Sequence, residues 1–268
     1  MVGKLRAMSP IRYVFVGGLH RSGTSLVARM LSGLPGVAGI EGADVPENEG
    51  VYLQGAIPHT ARHGRPMQFA TDPDQHHVEG GRYDRLEVKQ RLEADWDPWF
   101  APAPWRVEKS PVNLTRMRLY QQLFPRAQFV VVIRHPQMVA AAVSKWMDVP
   151  EEAQVRHWID AHRIVLRDLD YLHAAMILRY EDIVARPDAA VAALSAFLDR
   201  PGPEPFGEAV RDGNGDYPRP GPLADDLRDG IAPFGYGAEG AVHPVDLILR
   251  HPLRSVRDAV DAAWTHQA

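Results

Sequence analysis

Residues 11–34 read IRYVFVGGLHRSGTSLVARMLSGL, and this stretch decides the fold. Ile11 to Val16 form a β-branched and aromatic run closed by Gly17 and Gly18, the pattern of a buried strand. From Ser25 onward Leu26, Met30 and Leu34 recur at helical spacing. The order is strand, glycine-rich turn, helix. Such a turn aims several backbone N–H groups and the positive end of a helix dipole at one point, which makes it a cradle for a phosphate-like anion. Thr24 and Ser25 add hydroxyl donors. A plain tight turn with Ser and Thr as caps is the bland alternative, and the strand–turn–helix context weighs against it.

Outward from this segment, strands and helices alternate. Residues 128–133 (QFVVVI) are a continuous apolar run, as expected for a parallel strand covered on both faces. Shorter strands are expected at 105–107 and 175–180. Helices are expected near 87–95, 114–124, 137–147, 151–173 and 188–198, with a terminal helix over 247–264 broken near Pro252. Residues 35–80 and 200–240 lack periodicity and read as loops, the first with at most one short helix. The alternation predicts an α/β protein: a P-loop-like three-layer sandwich whose central, mainly parallel sheet is flanked by helices. One domain is expected over 1–268, with its core at about 11–240 and a C-terminal helical extension over 241–268.

A chain of 268 residues with 45% apolar and 24% charged residues has the composition of an ordinary folded protein. Its formal net charge of −4 argues against a general nucleic-acid binder, which needs a basic surface. The absence of cysteine excludes disulfides, thiolate catalysis and cysteine-ligated metals. No apolar run approaches the roughly 20 residues that span a bilayer. The first ten residues lack a signal-peptide core, so a cytoplasmic setting is expected.

The turn departs from a nucleotide-hydrolysing P-loop in two ways. Gly18 and Gly23 have the spacing of G-x-x-x-x-G-K-[ST], but the lysine position holds Thr24. The next central strand ends in Arg134, where such enzymes usually place a magnesium-binding aspartate. The cation near the cradle is Arg21, inside the loop. Arg134 follows QFVVVI at the strand's carboxyl end, the edge where open α/β sheets bind ligands, and its planar fork suits a phosphate. Ser144, Lys145 and Trp146 lie on the helix that follows.

At these residues the chain resembles the sulfotransferases that use 3′-phosphoadenosine 5′-phosphosulfate (PAPS). HRSGTSLVARML (20–31) is similar to the family's 5′-phosphosulfate loop, and VVVIRHPQMVAAAVSKW (130–146) to its 3′-phosphate motif. Glu108-Lys109-Ser110-Pro111, LRYEDIVARP (178–187) and PFGYG (233–237) resemble further landmarks in the expected order. The bacterial and tyrosylprotein-sulfotransferase-like branch is the nearest in flavour, since the cytosolic steroid and phenol branch has lysine where Arg21 stands.

The resemblance implies a metal-independent transfer of a sulfuryl group from PAPS to an acceptor hydroxyl, leaving 3′,5′-adenosine bisphosphate. It implies that Ser22, Gly23, Thr24 and Ser25 hold the phosphosulfate. Arg21 and Lys109 then stabilise charge on the leaving group, Arg134 clamps the 3′-phosphate and Tyr180 lies against the adenine. The family's serine eight residues after the arginine is replaced by Ala142. Either Ser144 takes its place through a longer turn, or the contact is lost and Lys145 substitutes.

The attacking hydroxyl needs a base. Glu41 is the expected one, with Asp44, Glu47, Glu49 and His59 in the same loop and His20 beside Arg21 as alternatives. No metal site is expected, because the 12 histidines show no helical ligand spacing. Trp96, Trp99, Phe100 and Trp105 are candidates for either an acceptor wall or the core. The acceptor is expected to be a small molecule, with a peptide tyrosine or glycan as alternatives, and the oligomeric state is open. The rival readings are a P-loop kinase or hydrolase and a non-catalytic nucleotide-binding protein.

Overall fold

A computed structural model of the chain describes residues 11–59, 66–200 and 205–265. Its elements run β1 (Arg12–Gly17), α1 (Thr24–Ser32), β2 (Val37–Gly39), α2 (Gly50–Leu53), α3 (Leu86–Trp96), β3 (Trp105–Lys109), α4 (Met117–Leu123), β4 (Gln128–Ile133), α5 (Pro136–Val143), α6 (Glu151–Asp168), β5 (Ala175–Arg179), α7 (Tyr180–Ala185), α8 (Pro187–Phe197), α9 (Asp225–Ile231), β6 (Ile248–Arg250) and α10 (Arg254–Thr265).

The six strands form one sheet in the order β2-β3-β1-β4-β5-β6. The first five are mutually parallel, with Val14 opposite Val107 on one side and Val16 opposite Val130 on the other. Helices cover both faces, as expected for a mainly parallel α/β sheet. The chain leaves β1 for β2 and β3 on one side and then crosses to β4 and β5 on the other. Crossovers that part in opposite directions open a crevice at the carboxyl ends of β1 and β4, where such sheets bind ligands.

The strand residues divide between two apolar layers. Tyr13 and Phe15 face an aromatic cluster of Trp96, Tyr120, Phe124 and Phe129, with ring centroids 4.6 to 6.3 Å apart. Val14, Val16, Val130 and Val132 face the opposite layer with Leu31, Leu178 and Leu194. Trp96, Trp99, Phe100 and Trp105 all pack into these layers, so the core reading holds for them and the acceptor-wall reading does not.

Several element boundaries differ from expectation, among them the end of the 151–173 helix at Asp168 and the helix Asp225–Ile231 in a stretch expected to be loop. The segment before Pro252 is not helical: Ile248–Arg250 is β6, antiparallel to β5 with Ala175 opposite Arg250. A short apolar run suits either structure, and the otherwise bare edge of β5 decides it. α10 then packs Val256, Val260 and Trp264 into the same apolar layer as α8. α5 ends at Val143 rather than 147, ahead of Pro150. β2 is three residues between Pro35-Gly36 and a bridge at Ile40, too short to show a period. No helix among the described residues is long and apolar enough to cross a membrane.

Candidate active site

The loop between β1 and α1 curls through two left-handed residues, Arg21 (φ 68°) and Gly23 (φ 100°). At Gly23 a side chain is excluded twice over. The backbone is in the glycine region, and a Cβ there would lie 2.7 Å from the Tyr180 ring. Gly23 is the N-cap residue ahead of α1, and no side chain caps the helix. The amides of its first turn therefore face the crevice with the dipole behind them. Ser22 is fully buried beneath the loop and its hydroxyl has no partner. Thr24 and Ser25 line the cavity in front.

Arg134 closes the other side. Its Nε donates to Asn214 Oδ1 at 2.7 Å and its Nη1 to the Arg21 carbonyl at 3.0 Å. The two arginines are therefore in direct contact across one crevice. The residue is 5% exposed, and its second terminal nitrogen, Nη2, is buried without a partner. A buried guanidinium nitrogen left unsatisfied is costly unless a ligand completes it. Arg134 and Arg21 line one cavity of about 460 Å³ with Thr24, Ser25, Glu49 and Trp146, within the size range of small-molecule sites.

What lies behind Arg134 explains two further segments. Tyr180 stacks under the guanidinium at 4.5 Å, donates to the Arg211 carbonyl and accepts from the Gly213 amide at 2.7 Å. Glu181 accepts from the His135 amide, from Asn214 Nδ2 and from Tyr236 Oη, tying β4, the 213–216 turn and the PFGYG segment together. Tyr180 thus sits between Gly23 and Arg134 rather than among the cavity-lining residues, because its hydroxyl is held by the backbone of 211–213.

Ser144 is likewise not brought to the cavity. α5 ends one residue earlier, and the exposed hydroxyl turns back to the Ala141 carbonyl at 2.9 Å. Ala142 is fully buried. Trp146 reaches the cavity instead, with the Arg21 guanidinium 5.5 Å from its ring.

Lys109 ends β3 almost fully buried, with Nζ 3.1 Å from Glu49 Oε1. Its neighbours fix that meeting. Glu108 accepts from Ser110 Oγ and Asn113 Nδ2, each at 2.6 Å, Ser110 Oγ accepts from the Val51 amide, and Trp96 Nε1 donates to the Gly50 carbonyl. Burial pushes the Glu49 carboxyl up to about 7, against the opposing pull of Lys109.

Glu41 is exposed and lines an adjoining cavity of about 280 Å³ that shares Ser25 and Glu47 with the first. Lys109 also lines this adjoining cavity, whereas it does not line the cavity of Arg21 and Arg134. The structure therefore places Glu49, not Glu41, in the cavity of Arg21 and Arg134. The sequence offered Glu49 only as one of several loop carboxylates. His20 also lines this cavity, but burial lowers it to about 4, so it is neutral at physiological pH. Among the described residues no group of three or more His, Cys, Asp or Glu side chains is arranged to hold a metal.

The family model described as "Sulfotransferase family" matches residues 13–204. Two solved structures share the fold. The sulfotransferase domain of the olefin synthase of Synechococcus PCC 7002 aligns over 87% of this chain and 98% of its own, at 19% identity and a TM-score of 0.51. The sulfotransferase STF9 of Mycobacterium avium aligns over 87% of this chain and 78% of its own, at 14% identity and a TM-score of 0.52. No curated protein sequence matches the chain.

Proposed function

The chain belongs to the sulfotransferase family, and from that premise we propose that it moves a sulfuryl group from PAPS to the hydroxyl of a small-molecule acceptor. The observation that carries the reading is Arg134 Nη2, buried and unpartnered at one end of a crevice whose other end is an uncapped helix N-terminus. A nucleotide phosphorylated at both its 3′ and 5′ positions supplies an anion to each. The rival reading as a kinase or hydrolase lacks its lysine at Thr24 and its aspartate at Arg134.

The residues then take the following parts. The amides of 22–25 and the hydroxyls of Thr24 and Ser25 hold the phosphosulfate, and Arg134 holds the 3′-phosphate. Glu49 takes the proton of the attacking hydroxyl, which is within the competence of a carboxylate held near neutrality. As the acceptor oxygen bonds to sulfur, the bond between sulfur and the bridging oxygen breaks and its electron pair stays on the 5′-phosphate of 3′,5′-adenosine bisphosphate. Arg21, the α1 amides and Lys109 stabilise that charge with fixed donors. Because in this reading Arg21, the helix amides and Lys109 supply the positive charge that a metal would otherwise bring, turnover is expected to be undiminished in excess chelator. Loss of activity that magnesium restores would support the kinase-like alternative.

Arg134→Ala tests the donor assignment. It is expected to weaken binding of 3′,5′-adenosine bisphosphate by roughly 10- to 100-fold, the scale for a charge-assisted hydrogen-bonded contact. Binding of adenosine 5′-phosphosulfate, which has no 3′-phosphate, should change much less. Equal weakening of both nucleotides in calorimetric titration would remove the 3′-phosphate from Arg134.

A further inference from the structure

We propose that Glu47 is the chain's own occupant of the anion cradle: its carboxylate must leave for the donor to enter, and it returns as the product departs. This inference rests on the donor reading above. Ser25 Oγ donates to Glu47 Oε2 at 2.9 Å in the first turn of α1, where the sulfuryl end of the donor is held in that reading. Glu47 lines the same cavity as Arg21, Thr24 and Arg134. Among the described residues its carboxylate has no other hydrogen-bond partner.

The backbone is shaped to deliver it. Glu47 and Asn48 are consecutive left-handed residues, φ 52° and 53°, a conformation that residues bearing a Cβ adopt rarely and almost never in pairs. Asn48 Oδ1 closes the loop by accepting from the Ala43 amide at 3.1 Å. A carboxylate at a helix N-terminus draws on the same dipole that favours an anionic ligand there. The two anions compete for one hydroxyl and one helix end.

Two consequences follow from this competition. The apparent affinity for the nucleotide is lowered by the fraction of molecules whose cradle is already filled. The departing bisphosphate also meets a tethered replacement, which favours turnover over product trapping. Glu47 is therefore a positioning residue that sets donor and product affinity, distinct from the base Glu49 beside it.

Calorimetric titration of 3′,5′-adenosine bisphosphate into the full-length wild-type chain and into Glu47→Gln tests this. The variant is expected to bind about three- to tenfold more tightly, as for a cradle freed from an internal competitor, and to show stronger product inhibition during turnover. Glu47→Ala should behave alike. Asp44→Asn removes an exposed carboxylate from the same loop without touching Ser25, and should leave the affinity nearly unchanged. If Glu47→Gln binds no more tightly than wild type, or if Asp44→Asn tightens binding equally, the proposal is overturned while the donor reading stands. If neither wild type nor variant binds the bisphosphate, both fall together.

Discussion

Replacing Arg21 with alanine is expected to slow sulfuryl transfer by about 10²- to 10³-fold, the scale for losing one preorganised donor to developing charge. The side chain is exposed and lies on Trp146, so its loss removes no buried packing. Arg21 also contributes its backbone carbonyl to Arg134 Nη1, and that contact survives the substitution. Nucleotide affinity should therefore fall far less than turnover. The left-handed backbone at position 21 costs alanine somewhat more than glycine. Arg21→Gly and Arg21→Lys thus serve as companions: glycine should match alanine, and lysine should recover part of the rate. Single-turnover rates with saturating PAPS measure the effect. A loss confined to nucleotide binding would mean that Arg21 only holds the ground state.

Replacing Glu49 with glutamine is expected to cost at least about a hundredfold in turnover, typical for a positioned general base. A second signature separates this from structural damage. With its carboxyl near 7, Glu49 must be ionised to accept a proton. Activity should therefore rise with pH through about 7 and level off above it. Glu49→Gln should remove that rising limb along with the rate, while leaving bisphosphate binding in place. Lys109 then loses its partner, so the melting temperature of the variant needs measuring beside its rate. Glu41→Gln is the decisive comparison. If it, and not Glu49→Gln, abolishes the limb, the base lies in the neighbouring cavity.

The part of the crevice built by the β1–α1 loop and Arg134 was legible because its signals are local. A continuous apolar strand, glycines at the turn and a helical period all lie within residues 11–34, and Arg134 directly follows the most apolar strand. Backbone geometry links such residues without help from distant contacts. The part that Glu49 contributes was less legible because long-range contacts build it. The segment holding Glu49 has no period of its own. It is set by Ser110 Oγ on the Val51 amide and by Trp96 on the Gly50 carbonyl, bonds that join residues 59 and 46 positions apart.

Ser144 and Tyr180 illustrate the same limit from the other direction. Each occupies a recognisable motif, yet the early end of α5 turns the Ser144 hydroxyl inward on its own helix. The 211–213 backbone claims the Tyr180 hydroxyl across more than 30 residues. Asn214, which orients the Arg134 fork, sits in a Gly-Asn-Gly turn whose composition signals a loop and nothing more. β6 escaped because an apolar run of a few residues fits a helix or a strand equally, and only the exposed edge of β5 chooses.

The central claim is that one adenosine nucleotide is gripped at both phosphorylated ends by a single crevice. A crystal structure of the chain with 3′,5′-adenosine bisphosphate tests it most directly. The account predicts the 5′-phosphate on the amides of residues 22–25 and the 3′-phosphate bonded to Arg134 Nη2. A nucleotide bound in another crevice, or one that leaves Arg134 Nη2 without a partner, would contradict it.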